Sequence, residues 1–268
     1  MKRTMALAGI TLAVCALAGA QESSGNRVVI PGRNGSHARM LEAHVISGEI
    51  TVKTGSGNDI IVETNGGRTP RPPSPPNTPA GMHRIDIPFD APLHVEQTGD
   101  TIHVSLMPRG GSDSLTITCP ANMSLKLNAT HGDIKVDGVR GEIDAESTHG
   151  DITLTNVSGT VVANTMHGSL KAVMNLVDQS KPLSFTTMSG EIDVTLPADT
   201  KANVKLRALR GEIWSDFDMK LTGSAPVTRN SGSGRMIMMD RTMNGTINGG
   251  GVDATFYTIN GKITIRKK

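Results

Sequence analysis

The sequence predicts an all-β protein, specifically a right-handed parallel β-solenoid with rungs of about 18–22 residues and no significant helix. Three observations predict this fold. Glycine recurs every nine residues, at 132, 141, 150, 159 and 168. Ile, Val or Leu stands two positions after each of these glycines, and helical periodicity of any length is absent. Repeats of fixed period are typical of stacked rungs, because one short strand cannot bury its own apolar face.

Each nine-residue unit is predicted to be one short strand and one corner. In the first unit Ile134 and Val136 flank Lys135, and the later units mostly keep this apolar–polar–apolar order. Such alternation indicates a strand with one buried face. Turn-forming residues such as Asp137 and Gly138 follow the strand. The recurring glycine is therefore predicted to mark a corner where the chain bends tightly or where backbones crowd together.

Histidines indicate the length of one full turn. His131, His149 and His167 precede alternate glycines at a spacing of 18, and Asp133 and Asp151 share that spacing. Residues 18 apart are therefore predicted to stack about 4.8 Å apart. The expected inner columns are Ile134–Ile152–Leu170 and Leu125–Ile143–Val161. A meander of antiparallel hairpins is the competing interpretation, and the sequence leaves a two-sided and a three-sided coil open.

The corner motif, a polar residue, glycine, a polar residue and then an apolar residue, recurs outside the regular block at looser spacing. It reads Ser47-Gly48-Glu49-Ile50 before the block, and similar motifs surround Gly190, Gly211, Gly245 and Gly261 after it. The interval from Gly190 to Gly211 is longer than two of the regular units. The later rungs are therefore predicted to carry longer corners.

Residues 1–20 are predicted to be a cleavable signal peptide, and residues 21–268 a single β-solenoid domain. Lys2 and Arg3 form a basic head, an apolar stretch follows, and Ala18-Gly19-Ala20 has the small residues of a cleavage site. The apolar stretch is shorter than the ~20 residues that cross a bilayer. We expect export to the periplasm or the cell surface, with no transmembrane span after cleavage.

A proline-rich segment at residues 65–81 interrupts the strand pattern. Six prolines stand between Pro70 and Pro79, and proline cannot donate to a strand ladder. The segment is predicted to be a loop insertion, so that deletion of residues 67–80 leaves folding intact. A docking segment for a groove-bearing partner is the alternative.

Charge and cysteine content narrow the function classes. Removing residues 1–20 removes two basic residues and no acidic one, which leaves 25 basic and 25 acidic residues. Such a chain lacks the long-range attraction that nucleic-acid binders use, so no nucleic-acid partner is expected. After cleavage one cysteine remains, Cys119, and its alternation with Thr116 and Thr118 places the thiol on the apolar face of a strand.

The sequence motifs of this chain together resemble those of a family of exported bacterial β-strand-repeat proteins, the domain of unknown function 4097 family. Members of that family are labelled candidate adhesins. The likeness is carried by the SGEI, HGDI and RGEI corners, by LPADTKANVKLRALRGEI at 196–213, and by INGGGVDATFYTINGKITIRKK at 247–268. It spans roughly residues 40–268, apart from the proline-rich insertion. The resemblance implies a parallel β-solenoid and an envelope location, and it supplies no catalytic residues.

Two groups of residues are candidates for chemistry. His131, His149 and His167 are the candidate metal ligands, because neutral imidazole suits zinc, copper and nickel. Asp133 and Asp151, if stacked about 5 Å apart, would have the separation of a retaining glycosidase pair. Corner carboxylates are usually only solvated, however, and the turns offer too few oxygens for calcium. We therefore assign no catalytic residue, no cofactor and no metal site beyond the histidine candidate.

Two functions from different classes remain. The favoured one is a non-enzymatic exported envelope protein, a scaffold or adhesin-like surface that binds an envelope protein or a glycan. The alternative is a carbohydrate-active β-helix enzyme, a lyase or a glycosidase. A cleft lined by two or more buried carboxylates would favour the enzyme, whereas smooth polar faces would favour the scaffold. The sequence does not indicate the ligand or the oligomeric state.

Overall fold

The computed structural model describes residues 27–32, 39–65, 93–107, 113–223, 227–231, 234–238 and 242–268. The predicted signal peptide lies outside the described residues. So does the predicted proline-rich insertion beyond Asn65, together with the expectation that residues 67–80 can be deleted.

The regular structure of the described residues is β-strand. The strands are β1 (Arg27–Ile30), β2 (Arg39–Ser47), β3 (Ile50–Thr54), β4 (Ile60–Thr64), β5 (Leu93–Thr98), β6 (Thr101–Leu106), β7 (Leu115–Cys119), β8 (Met123–His131), β9 (Ile134–Asp137), β10 (Arg140–His149), β11 (Ile152–His167), β12 (Leu170–Val177), β13 (Leu183–Ser189), β14 (Ile192–Leu196), β15 (Ala202–Arg210), β16 (Ile213–Ser215), β17 (Met219–Gly223), β18 (Val227–Ser231), β19 (Gly234–Met238), β20 (Met243–Ile247), β21 (Val252–Asn260) and β22 (Ile263–Lys267). No helix in this part of the chain has the length and apolarity needed to cross a membrane.

The strands stack in two layers, so each rung has two sides. Sheet I has the order β5-β6-β2-β8-β10-β11-β13-β21-β15-β20-β17. Sheet II has the order β1-β4-β7-β3-β9-β11-β12-β14-β22-β16. The long strand β11 belongs to both layers, which makes their hydrogen bonding continuous. The apolar side chains of both layers form one buried cluster between them.

The regular block confirms the predicted parallel rungs. Ile152 is in register with Ile134 and Leu170, and Ile143 is in register with Leu125 and Val161. All six side chains are buried. The antiparallel meander is therefore wrong for this part of the chain.

The glycines repeat because their rungs leave no room for a β-carbon. A Cβ built on Gly150 would lie 2.1 Å from the carbonyl oxygen of Gly132 on the neighbouring rung, and one built on Gly168 would lie 2.1 Å from that of Gly150. The same clash recurs outside the regular block, where a Cβ on Gly261 would lie 1.8 Å from the oxygen of Gly190. Each corner glycine therefore lies against the carbonyl of the next rung.

Buried hydroxyls satisfy the carbonyls of these glycines. Thr165 Oγ1 donates to the oxygen of Gly150 at 3.1 Å, and Thr187 Oγ1 donates to that of Gly168 at 3.0 Å. Ser147 and Thr258 make equivalent bonds. A buried carbonyl without a hydrogen bond costs stability, so this hydroxyl column is part of the corner.

The rungs near both ends are not stacked in chain order. β2 and β3 lie between the β6/β7 rung and the β8/β9 rung. At the other end, β21 and β22 lie between the β13/β14 rung and the β15/β16 rung. The prediction of longer corners in the later rungs is confirmed: five residues separate β12 from β13 and β14 from β15, against two between β9 and β10. The corner between β14 and β15 also passes the rung inserted from the C-terminal part of the chain, because Gly190 stacks on Gly261.

Antiparallel strands flank the parallel stack at both ends. β1 and β4 pair antiparallel next to β7, and β5 pairs antiparallel with β6. β20 pairs antiparallel with both β15 and β17. The parallel solenoid is thus confirmed as the core of the fold, with antiparallel additions that the repeat pattern does not predict. In sheet I these additions cover both ends of the parallel stack, whereas sheet II ends on one side with the short parallel strand β16.

Candidate functional site

The three candidate metal ligands form a column at one corner. His149 is in register with His131 and His167, at the ends of β8, β10 and β11. Their ring centroids are 4.9 and 5.0 Å apart, and the successive rings are parallel within 1° and 6°. The predicted stacking at about 4.8 Å is confirmed.

This stacking does not direct the imidazole nitrogens at a common point. The lone pair of an imidazole nitrogen lies in the plane of its ring, so the lone pairs of parallel rings are themselves parallel. Zinc needs nitrogens that converge tetrahedrally at about 2.0–2.1 Å. Among the described residues, no group of three or more His, Cys, Asp or Glu could hold a metal ion. His131, His149 and His167 stay candidate ligands only, and melting with and without zinc tests them.

Asp133 and Asp151 fix the backbone of the same corner. The backbone N–H of Asp151 donates to the Asp133 carboxylate at 2.9 Å, and that of Ser169 donates to the Asp151 carboxylate at 2.7 Å. Each carboxylate is thus bonded to the next rung. This arrangement accounts for the spacing of 18 without a glycosidase site.

Cys119 is buried in the core, as its alternation with threonines predicted. Its side chain is fully buried, and burial raises the pKa of the thiol to about 12. The thiol is therefore protonated near neutral pH and unsuited to act as a nucleophile.

The outer surface of sheet I carries a shallow groove, here called the sheet I groove. Its floor is one column of seven polar side chains on seven neighbouring strands. In stacking order these are His44, Asn128, Glu146, Asn164, Thr186, Tyr257 and Arg207. Six steps at about 4.8 Å make the floor roughly 29 Å long.

Three adjoining depressions form the sheet I groove. The first, of about 520 Å³, covers β2, β8, β10, β11 and β13, and the second, of about 320 Å³, shares Thr186 with it. The third, of about 560 Å³, shares Lys205 and Thr255 with the second and extends to β17 and β20. Side chains alternate between inward and outward along each strand. Stacking in register therefore places one outward side chain of each strand in the floor.

Charge differs between the two halves of the sheet I groove. In the first depression the described lining includes His44 and one carboxylate, Glu146. The second and third depressions are lined by Lys205, Arg207 and Lys220, with Asp253 as the carboxylate among their described lining residues. The half formed by β15, β17, β20 and β21, here called the basic half, is therefore cationic.

The sheet I groove was not among the predicted features, although a signal for it was present in the sequence. Asn128, Glu146 and Asn164 recur at the same interval as the three histidines, and their positions alternate with buried ones. A column of amides and carboxylates at the rung period indicates a polar floor. The basic half had no such signal, because its strands are stacked out of chain order.

Comparison with known proteins identifies the family of this chain. The model of the family described as Toastrack DUF4097 matches residues 23–248. No curated protein matches the chain.

Two solved structures match the chain at low sequence identity. One is a candidate cell adhesion protein from Clostridium sporogenes, with 10% identity and a TM-score of 0.43; the match covers 90% of this chain and 99% of that protein's chain. The other is a candidate adhesin from Bacteroides fragilis, with 11% identity and a TM-score of 0.42; the match covers 90% of this chain and 96% of that protein's chain.

Proposed function

This chain belongs to the Toastrack DUF4097 family, and we propose on that premise that it is a non-enzymatic, exported envelope protein whose sheet I groove binds an extended ligand. The proposed ligand is an envelope protein or a glycan, and the proposed location is the periplasm or the cell surface. The predicted signal peptide at residues 1–20 supports the location.

The sheet I groove is the observation that carries this proposal. Its floor presents amide, hydroxyl and imidazole groups at regular intervals of about 4.8 Å over roughly 29 Å. A repeated rung holds each of these groups, so little side-chain order has to be gained on binding. Such a surface suits recognition of a long polar molecule more than enclosure of a small substrate.

The carboxylates that line the groove are poorly placed for glycoside hydrolysis. Glu146 is on β10 and Asp253 is on β21, three strands away in sheet I. Three strand spacings amount to roughly 14 Å. A hydrolytic pair stands only about 5–9.5 Å apart.

One observation favours the alternative of a carbohydrate-active enzyme. Asp144 points outward on β10, two residues before Glu146, and burial raises its pKa, with a further increase from the Glu146 carboxylate. A carboxyl with a raised pKa beside an ionised one is a pattern of acid catalysis. If this pair is catalytic, Asp144→Asn will abolish release of reducing ends from polysaccharides by the purified protein. We expect no such release from the unmodified protein.

Differential capture of envelope material tests the proposed function. Purified protein is immobilised and incubated with solubilised envelope, beside Asn164→Arg, which fills the middle of the groove. The matched control is Thr153→Arg, at a half-buried position that faces outward on sheet II. We expect a protein or glycan that unmodified protein and Thr153→Arg retain and Asn164→Arg loses. Equal retention by all three would contradict a role for the groove.

A further inference from the structure

The basic half of the sheet I groove concentrates cations that have no counter-ion among the described residues. Lys205 and Arg207 both face outward on β15, two residues and therefore about 6.7 Å apart. Lys220 on β17 lines the same depression as Lys205. None of the three makes an ion pair with a described residue. Elsewhere on the surface, Lys135, Lys181 and Arg266 do make such pairs.

Arg207 packs against an aromatic ring of the neighbouring strand in the basic half. Its Cζ atom lies 5.4 Å from the centroid of the Tyr257 ring, which is a cation–π contact. Its Nε is buried and has no hydrogen-bond partner among the described residues. A planar guanidinium fixed on an aromatic ring offers paired donors that match a carboxylate.

The carboxylate in this half does not neutralise these cations. Asp253 accepts a hydrogen bond from Asn203 Nδ2 at 3.1 Å, and within the described part of the chain it makes no ion pair with Lys205, Arg207 or Lys220. Three cations against one carboxylate leave the basic half with a positive charge. The complementary ligand therefore carries negative charge.

The position of the groove argues against an extended peptide as the ligand. A peptide that adds to a sheet bonds to the backbone of an edge strand. The floor of the sheet I groove instead crosses the outer face from β2 to β15, and the backbone groups of these interior strands are already bonded to their neighbours. Recognition there depends on side chains, and amides and hydroxyls match a ligand with hydroxyls along its length.

We infer that the basic half binds the carboxylate groups of a linear acidic polysaccharide, whose neutral hydroxyls lie along the remaining floor of the groove. Arg207 donates to one carboxylate, while Lys205 and Lys220 attract the next along the chain. This inference rests on the proposed function, because it names the ligand class of the same groove.

Binding of defined oligosaccharides tests this inference. The purified protein is titrated with an oligogalacturonate of about eight sugar units, a neutral oligosaccharide of equal length and a polyglutamate of equal charge. The oligogalacturonate should bind, and its affinity should fall as salt is added, because exposed charges are screened. Arg207→Gln and Lys205→Gln should each weaken binding at least about tenfold, since each removes a charge-assisted hydrogen bond. Lys171→Gln, which removes an exposed cation from sheet II, should leave it unchanged.

Each other outcome overturns the inference in an identifiable way. Equal binding of the neutral and the acidic oligosaccharide would show a glycan groove without carboxylate recognition. Tighter binding of polyglutamate would identify an acidic protein as the ligand. If no oligosaccharide binds while envelope capture remains sensitive to Asn164→Arg, the proposed function stands and the carboxylate inference fails.

Discussion

The middle of the solenoid and its ends follow the same stacking rule but differ in the order of the chain. From β8 to β12 consecutive segments form consecutive rungs, and the rung period is visible in the sequence. Near the ends, β2/β3 and β21/β22 each lie between two rungs that they do not connect directly. The corner glycines nevertheless stack in both regions.

This difference shows that the corner motif specifies the formation of a rung but not which rungs stack next to it. Gly48, Gly190 and Gly261 each occupy a corner where a β-carbon has no room, whichever segment supplies the next rung. The corner motif therefore encodes one turn of the two-sided coil. The order of stacking depends on connections of very different length, which a fixed period cannot show.

Removal of the rung formed by the C-terminal strands β21 and β22 should have the largest effect on stability. Deleting residues 252–268 removes β21 and β22, which separate the β13/β14 rung from the β15/β16 rung. The deletion exposes apolar residues such as Phe185, whose ring stacks on Phe256 with centroids 5.4 Å apart. We expect loss of cooperative thermal unfolding and of soluble protein. A folded, monomeric deletion variant would show that the C-terminal rung is peripheral.

Replacing a corner glycine with alanine should destabilise the protein strongly both in the middle of the solenoid and near its end, although less than the deletion does. Gly150→Ala in the middle and Gly261→Ala near the end each force a Cβ to within 2.1 and 1.8 Å, respectively, of a backbone oxygen. A fixed backbone cannot relieve such contacts, so each should cost about 4 kcal/mol or more in free energy of unfolding. Gly57→Ala is the control, since its nearest atom would be 3.9 Å away. A large loss at Gly150 alone would limit the glycine rule to the regular block.

Loss of one buried corner hydroxyl should have an intermediate effect. Thr165→Val keeps the side-chain shape but leaves the carbonyl of Gly150 without its donor. We expect a loss of about 1–3 kcal/mol in denaturant unfolding. Thr258→Val, near the end, should lose a similar amount, because its hydroxyl serves Gly190. Thr165→Ser is the matched control that keeps a hydroxyl, and a loss equal to that of valine would show that the hydrogen bond is unimportant.

Two carboxylates should give small effects of opposite sign. Hydrogen bonds from Thr51 and Lys135 lower the pKa of Glu49, near one end. Its contribution to stability is therefore present above the unfolded pKa and is lost as pH falls through the lower folded pKa. Burial raises the pKa of Asp144, in the middle, so ionisation there costs stability at neutral pH. At pH 7, Glu49→Gln should lower stability and Asp144→Asn should raise it, each by under about 1 kcal/mol.

The pH dependence provides the check on these two variants. Both differences from the unmodified protein should shrink as pH falls and the carboxylates become protonated in the folded and unfolded states. Equal differences at pH 7 and pH 3, measured by urea unfolding, would contradict the assigned causes.

Local periodicity predicted the rungs well and the ends poorly. The spacing of His131, His149 and His167 indicated the stacking of the middle rungs, because residues one turn apart must be neighbours. The reason for the glycines was only partly predicted, since the approach of Gly150 to the carbonyl of Gly132 depends on three-dimensional contact. The basic half of the groove joins Arg207 to Tyr257, which come from distant segments of the chain, so no short pattern could reveal it.

The most direct test of this account is a pair of engineered cross-links at the corner. Ser189 is in register with Asn260, so Ser189→Cys with Asn260→Cys places the two Cα atoms about 4.8 Å apart, within the range of a disulfide. Ser189→Cys with Arg210→Cys places them two strands apart, at about 9.6 Å, which is too far. Cys119 is buried and does not compete. Mild oxidation of the folded protein should cross-link the first pair and not the second. Cross-linking of the second pair alone would show that the rungs stack in chain order and would contradict the account.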